Sequence, residues 1–407
     1  MERALNILML PSLYYPNLGG VEIAVDNLCR QLVARGHKLE IVTTRWPRDL
    51  PTHDVIGGIK VTRLPFVLPS LKGRSAFSFP VRFLQSHLGL ERVLRATRFD
   101  LVNLHYLSEA SLYANWSAHK RRIPLVVSVH GSDIEGGGRQ NSLLRWVARR
   151  ALKSAAAVTS NSSSLAGSVR QLAEAGLEPP LVTVANGVNV EDFSVPAPRP
   201  SLTPHRYLLG VGRLVDVKGF DTFIRAFARL AKRQPDVDIV LVGDGVDRGI
   251  LQQLCVDLGM ADRVHFAGRL PNNALPAFFQ HSEFLVIPSR REGFGIVALE
   301  AMASRKAVVA MAVGGLQEVV SDRKTGLLVK EQTAEGLAKA MSYLLAQPQL
   351  AGQFGERGRE RVESRYTWKF VADCYLGVFS AACLARPTMP MRETRSSVCP
   401  VSGIGKA

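Results

Sequence analysis

Phe284-Leu285-Val286-Ile287-Pro288-Ser289-Arg290-Arg291-Glu292-Gly293-Phe294-Gly295-Ile296-Val297-Ala298-Leu299-Glu300-Ala301-Met302-Ala303 reads as a buried strand, a glycine-bearing loop and a helix. The apolar run Phe284–Ile287 suits a strand covered on both faces. Gly293 and Gly295 leave the loop open, with no side chains to block a ligand. The helix that follows, over Gly295–Ser304, presents unpartnered backbone N–H groups and the positive end of its dipole, which favours an anion. Glu292 precedes that helix and Glu300 lies about two turns into it. One carboxylate at each end of a phosphate site suits hydroxyl-bearing groups on both sides of a pyrophosphate. The bland alternative is an ordinary glycine turn, with Glu292 as a helix-start acid and Glu300 facing solvent.

The same strand–turn–helix unit recurs outward from this stretch. Tyr207–Val211 runs into Gly210-Val211-Gly212-Arg213-Leu214-Val215-Asp216-Val217-Lys218-Gly219-Phe220. There Arg213 offers a bidentate grip on phosphate oxygens and Lys218 a point charge, enough together to neutralise a diphosphate. Standing alone they would be two surface cations. Further strands are expected at Ile239–Val242, Val264–Phe266 and Val308–Ala310, and helices at Asp221–Gln234, Gly249–Leu258, Ala274–His281 and Ala334–Ala346. In the first half, Asn6–Leu10, Leu39–Thr43, Leu101–Leu104, Leu125–Val129, Ala157–Thr159 and Val182–Val184 alternate with helical patterns such as Val21–Arg35. Continuous apolar strands alternating with amphipathic helices predict an α/β protein with doubly wound parallel sheets.

Pro196, Pro198, Pro200 and Pro204 interrupt the alternation, so residues 196–204 are expected to link a domain over 1–195 to another over 205–365. Two such domains would leave a cleft, with ligands beyond the C-terminal strand ends. Gly19-Gly20, at the start of a helix, is a further candidate for close approach to a phosphate, and an ordinary loop is the competing reading. His130 ends the strand Val126–Val129, where such sheets bind ligands, though a lone histidine is often structural. Asn186-Gly187 is either a plain turn or cleft wall. The aperiodic tail Arg386–Ala407 is expected to be disordered.

Composition narrows the class. With 407 residues, 46% hydrophobic and 21% charged, the chain has two to three globular domains rather than a disordered or collagen-like structure. A net charge of +16 suits anionic partners, but no nucleic-acid-binding signature occurs, so nucleic acid is not an expected partner. The 5 cysteines are odd in number and form no Cys-x-x-Cys pair, which argues against a disulfide framework and a cysteine zinc site. No cluster of metal ligands stands out, and neither metal nor cofactor is expected. The uncharged run Cys374–Ala385 is too short for a span of about twenty residues. The start of the chain shows no signal peptide, and a soluble cytoplasmic protein is expected.

These pieces together resemble the retaining nucleotide-sugar glycosyltransferases of the GT-B fold, the family 4-like group that includes sucrose synthase and bacterial mannosyltransferases. Gly19-Gly20, His130, Asn186-Gly187-Val188, Gly212-Arg213-Leu214 with Lys218-Gly219, Leu241–Gly245, Val264–Gly268 and Glu292–Glu300 occur in the family's order. The resemblance implies two Rossmann-like domains, a last helix at about Tyr366–Ala385 returning to the first, and transfer of a sugar from a nucleoside-diphosphate donor to an acceptor hydroxyl. It implies that Arg213 and Lys218 hold the diphosphate, that Glu300 binds the ribose, and that Glu292 contacts the transferred sugar. Gly293, Phe294, Gly295 and Ile296 would lend backbone near phosphates and sugar. His130 would face the sugar from the first domain, and Gly19 and Gly20 the diphosphate. Retention and independence from metal also follow from the resemblance.

Three other readings share parts of this pattern. Gly243-Asp244-Gly245 with Gly249 is a loose dinucleotide turn, but Arg248 occupies the third glycine position and Val264–Gly268 carries no ribose-binding acid, against a dehydrogenase. A sugar-nucleotide epimerase of the same fold and a non-catalytic nucleotide-sugar-binding protein remain alternatives. On the acceptor side, Gly138–Lys153 and Lys72–Arg98 are strongly basic, with Arg145, Arg149 and Lys153 at four-residue spacing. These are either ordinary solvated helix faces or a surface that docks on anionic membrane to reach a lipid-linked acceptor, which would place the protein peripherally on the cytoplasmic face.

Overall fold

A computed structural model describes residues 3–17, 19–68, 75–135, 142–174, 176–201 and 203–385. The expected disordered tail, Arg386–Ala407, lies outside the described residues, as do Lys72, Arg74 and Arg139 of the basic segments. The chain divides into two compact units, one built from residues up to Ala185 together with those from Val371 on, the other from Asn186–Phe370.

In the first unit the elements run β1 (Asn6–Pro11), α1 (Gly20–Ala34), β2 (Lys38–Thr44), β3 (His53–Ile56), β4 (Ile59–Leu64), α2 (Ser75–Ala96), β5 (Leu101–His105), α3 (Ala110–Arg121), β6 (Leu125–Val129), α4 (Ser132–Glu135), α5 (Ser142–Ser154), β7 (Ala157–Ser160), α6 (Ser163–Ala173) and β8 (Leu181–Thr183). The sheet order is β3-β4-β2-β1-β5-β6-β7-β8. Every pairing is parallel except β3 with β4, a hairpin turned at Gly57-Gly58, where both residues have positive φ (57° and 80°). β5 and β6 are buried along their whole length, because helices cover both faces of the sheet.

The second unit runs β9 (Arg206–Val211), α7 (Phe220–Leu230), β10 (Val237–Val242), α8 (Arg248–Asp257), β11 (Val264–Gly268), α9 (Leu275–His281), β12 (Leu285–Ile287), α10 (Ile296–Ala303), β13 (Val308–Met311), α11 (Leu316–Val319), β14 (Gly326–Val329), α12 (Ala334–Leu345) and α13 (Pro348–Arg365), followed by α14 (Trp368–Leu384). Its all-parallel sheet has the order β11-β10-β9-β12-β13-β14. α7 shows how sequence makes an element here: Phe220, Phe223, Ile224, Phe227 and Leu230, at helical spacing, are all buried. In both units strand order reverses direction at one place, between β1 and β5 and between β9 and β12. At such a switch point adjacent loops diverge to opposite faces of the sheet and leave room for a ligand.

Two boundaries differ from the expected ones. The division falls after Ala185, ahead of the proline stretch. The reason is that residues 193–197 lie along α9: Gln280 Nε2 donates to the carbonyls of Phe193 and Val195, Ala197 N–H to Gln280 Oε1 at 2.9 Å, and the His281 ring bonds the Ala197 carbonyl. Prolines stop a ladder there without freeing the chain. At the other end α14 starts in the second unit, but from Val371 its residues pack in the first. Asp373 pairs with Arg35 at 3.0 Å, and the Tyr375 ring lies 6.0 Å from His105. Among the described residues no helix is long and apolar enough to cross a membrane.

Candidate active site

The loops at the switch point of the second unit are locked to one another through glycines. Gly219 (φ 67°) lies so close to the next loop that a Cβ would stand 2.2 Å from the Pro288 carbonyl oxygen, and a Cβ on Gly314 (φ 48°) would meet the Glu292 carbonyl oxygen at 1.9 Å. Hydrogen bonds run along the same contacts, from Arg290 N–H to the Val217 carbonyl and from Gly315 N–H to the Glu292 carbonyl. Arg290 adds a staple: its guanidinium donates to both carboxylate oxygens of Asp221 (2.9 and 2.7 Å) and to the Asp216 carbonyl. The sequence reading gave Arg290 no role, because its partners lie about seventy residues away.

This frame aims the charged residues. Lys218 ends a 3-10 turn over Asp216–Lys218, and its Nζ lies 2.6 Å from Glu292 Oε2. Ser289 Oγ donates to the same oxygen at 3.2 Å. The two expected site residues of opposite sign are thus one half-buried ion pair. Arg213 lies on the loop after β9, exposed; its carbonyl accepts from Val215 N–H at 2.9 Å, and its side chain has no hydrogen bond or ion pair among the described residues. Gly295 caps α10 at φ 96°, and a Cβ there would also stand 2.5 Å from Leu316 Cδ2, so both backbone and packing require glycine. Phe294 is buried, its ring 6.2 Å from that of Tyr366, which holds the loop down while Gly293 and Ile296 stay partly exposed. In the first turn of α10 the Ala298 N–H is taken by the Gly295 carbonyl at 2.9 Å, and the N–H groups of Ile296 and Val297 have no intrahelical acceptor by geometry.

Glu300 is the fifth residue of α10, nearer the helix start than the expected two turns. It is half-buried rather than solvent-facing, and desolvation pushes its carboxyl up to about 7. Among the described residues no hydrogen bond to the Glu300 carboxyl offsets that burial. In this unit the structure therefore brings Lys218 and Glu292 into contact and places Arg213, Gly293–Ile296 and Glu300 on the same or adjacent loops and helix.

In the first unit, Gly19 caps α1 with extended backbone (φ −125°) and Gly20 begins the helix, both exposed. No left-handed turn demands glycine at Gly19; what the pair leaves is open backbone. His130 follows β6. Its Nε2 lies 3.0 Å from His105 Nδ1, and its carbonyl accepts from Asn161 Nδ2. Burial pushes the His130 imidazole down to about 4 and that of His105 well below its usual value, so both are neutral at pH 7. Asp133 accepts from the backbone N–H groups of Leu107, His130 and Gly131, tying the loops after β5 and β6 together. Its own burial raises the carboxyl to about 6 despite those donors. A neutral His130 carries no charge to offer a phosphate; its ring is a hydrogen-bonding group. Sequence reading missed His105 and Asp133, whose value appears only when neighbouring strands place them beside His130. It also missed Tyr106, held at φ 75° between them. Among the described residues no three His, Cys, Asp or Glu side chains gather as a metal would require.

Comparison with known proteins bears on the family and the fold. Residues 18–192 match the model of Glycosyltransferase Family 4, and residues 197–361 that of Glycosyl transferases group 1. N-acetyl-alpha-D-glucosaminyl L-malate synthase of Bacillus anthracis is 26% identical over 373 residues, covering 90% of this chain and 94% of that protein. The GDP-mannose-dependent alpha-(1-6)-phosphatidylinositol monomannoside mannosyltransferase of Mycolicibacterium smegmatis is 29% identical over 379 residues, covering 89% and 95%. Among solved structures, sucrose-phosphate synthase of Thermosynechococcus elongatus superposes with a TM-score of 0.73 at 25% identity, over 92% of this chain and all of that one. Two parallel α/β units, each with a strand-order reversal, and both family matches in chain order, place this chain among the glycosyltransferases of the GT-B fold.

Proposed function

We propose that the protein transfers a sugar from a nucleoside-diphosphate sugar to an acceptor hydroxyl, with retention at the anomeric carbon and without a divalent metal. The observation that carries this reading is the Lys218–Glu292 pair at the switch point of the second unit, flanked by Arg213 and the start of α10. A cation for the diphosphate and a carboxylate for sugar hydroxyls already stand within hydrogen-bond distance, each holding the other in place until a donor separates their tasks. Anabaena HepE, a fold neighbour at 19% identity, has been solved in complex with UDP-glucose, which is in keeping with a donor of this class.

In the reaction the bond between the anomeric carbon and the diphosphate oxygen breaks, and the acceptor oxygen bonds to that carbon on the same face. The acceptor proton passes to the departing phosphate oxygen. Negative charge grows on the diphosphate in the transition state, where Arg213, Lys218 and the N–H groups of α10 stabilise it; one such contact is worth about 2.7–4 kcal/mol. Glu300 binds ribose hydroxyls, Glu292 those of the sugar, and neutral His130 a further sugar hydroxyl. Because two side-chain cations neutralise the diphosphate, turnover is expected to survive EDTA.

The test is a thermal-shift panel of UDP-, GDP- and ADP-sugars with NAD as control. A donor at 100 Kd stabilises by about 2.7 kcal/mol. A shift with NAD and none with any nucleotide sugar would overturn the reading. NMR of the product's anomeric proton then decides retention.

A further inference from the structure

We propose that the outer surface of α2, α3 and α5 docks on anionic lipid membrane. The three helices lie side by side, α3 against both α2 and α5. Their inward faces are already filled, in α5 by Val147, Ala148, Ala151 and Leu152. Yet the outward faces are also apolar. Val81, Leu84 and Leu88 are exposed at helical spacing on α2, and Trp116 and Trp146 are 48% and 55% exposed on α3 and α5. Trp116 stacks on His87 (centroids 4.8 Å apart), which joins the α2 stripe to the rest. Between the two tryptophans runs an open groove of about 600 Å³, edged by Arg149, Arg150 and Lys153.

Single exposed leucines are ordinary; two exposed tryptophans on a cationic groove, continuous with an aliphatic stripe, are not. The one acid these helices carry, Glu91, is buried and bound to Arg121 at 2.6 Å. Of the evenly spaced cations read from the sequence, Arg149 is spoken for, by Glu174 and the Leu172 carbonyl. The outward charge comes instead from Arg150, Lys153 and Lys120, which are exposed and form no ion pair among the described residues.

That chemistry selects the occupant. Tryptophan settles at the headgroup level of a bilayer, aliphatic side chains reach the acyl boundary, and Lys and Arg are drawn to anionic headgroups. A second copy would set two cationic faces together. Single-stranded nucleic acid would use the tryptophans and cations but leave Val81, Leu84 and Leu88 without a role. Docking would hold the transferase where an acceptor carried on a lipid is concentrated. None of these residues is among those assigned to the donor, so the test does not depend on the donor.

The full chain is co-sedimented with phosphatidylcholine vesicles and with vesicles containing phosphatidylglycerol, at low and moderate salt. Binding should require phosphatidylglycerol, weaken with salt and shift tryptophan emission to the blue. Trp116→Ser with Trp146→Ser should abolish the emission shift and weaken binding at least about tenfold. Arg150→Ser with Lys153→Ser should weaken it about fivefold per cation. Both variants should keep the wild-type far-UV circular dichroism and melting temperature, which shows that they fold. Lack of sedimentation with anionic vesicles at low salt, or binding that neither double variant changes, overturns the proposal. So does a dimer that the tryptophan variant disperses, or tighter binding to an oligonucleotide than to the vesicles.

Discussion

Lys218 and Glu292 sit 74 positions apart in sequence and 2.6 Å apart in space. Each is named as a site residue by its own local motif, and neither motif announces the other. Their contact means that removing one leaves the other part-buried and unpaired as well as removing a donor contact. Lys218→Ala and Glu292→Gln should each lower kcat/KM at least a hundredfold with far-UV circular dichroism unchanged; turnover near wild type in either would show the assignment to be wrong. Glu300 makes a separate, pH-dependent claim. Its folded carboxyl is raised from 4.5 to about 7, so the native state holds that proton more tightly than the unfolded chain does. The native state therefore loses stability as pH rises from about 4.5 through 7 and loses no more above that. Glu300→Gln should melt with wild type near pH 4 and progressively higher than wild type up to about pH 8, while binding donor more weakly. A melting difference that does not change with pH would remove desolvation as the cause.

At the scale of elements, α13 shows why one helix escaped the sequence reading. Its buried residues are Phe354, Gly355, Gly358 and Val362, so half of its inward face is glycine and the apolar stripe that marks a helix is missing. The glycines are there for contact: a Cβ on Gly355 would stand 2.0 Å from the Arg305 carbonyl oxygen, whereas one on Gly352 would meet nothing within 4 Å. In an isolated helix either change to alanine gains about 1 kcal/mol. Here Gly352→Ala should keep that gain, and Gly355→Ala should lose stability by about 1–3 kcal/mol through overpacking. Urea midpoints at constant m-value separate the two; equal shifts would mean that α13 is not packed on this side. The β3–β4 hairpin went unread for a related reason, since its strands are short and the Gly57-Gly58 turn is their main signal.

At the scale of the whole molecule, α14 begins in one unit and packs in the other. Val371, Tyr375 and Phe379 are buried, and Tyr375 lies beside His105, the partner of His130. Ending the chain at Arg365 should cost several kcal/mol, since each such side chain is worth about 1.5–3 kcal/mol when buried. It should also broaden the His105 and His130 ring signals in NMR. Ending it at Ala385 should leave melting and turnover as they are. Loss of the fold on the shorter cut would mean that residues 386–407 belong to a core.

What the sequence by itself determined is the part written in local pattern. Continuous apolar strands alternating with amphipathic helices specify two parallel α/β units, and a glycine turn before a helix marks a candidate anion site, because both depend on residues within one turn or one strand of each other. What only tertiary structure decided is everything set by neighbours far along the chain. It locked the loops through Gly219 and Gly314, paired Lys218 with Glu292, and buried His105 against His130. It also bound the proline stretch to α9 and turned Trp116 and Trp146 outward. Burial and hydrogen bonding across such distances depend on the sheet order, and the order of parallel strands leaves no periodicity in the sequence.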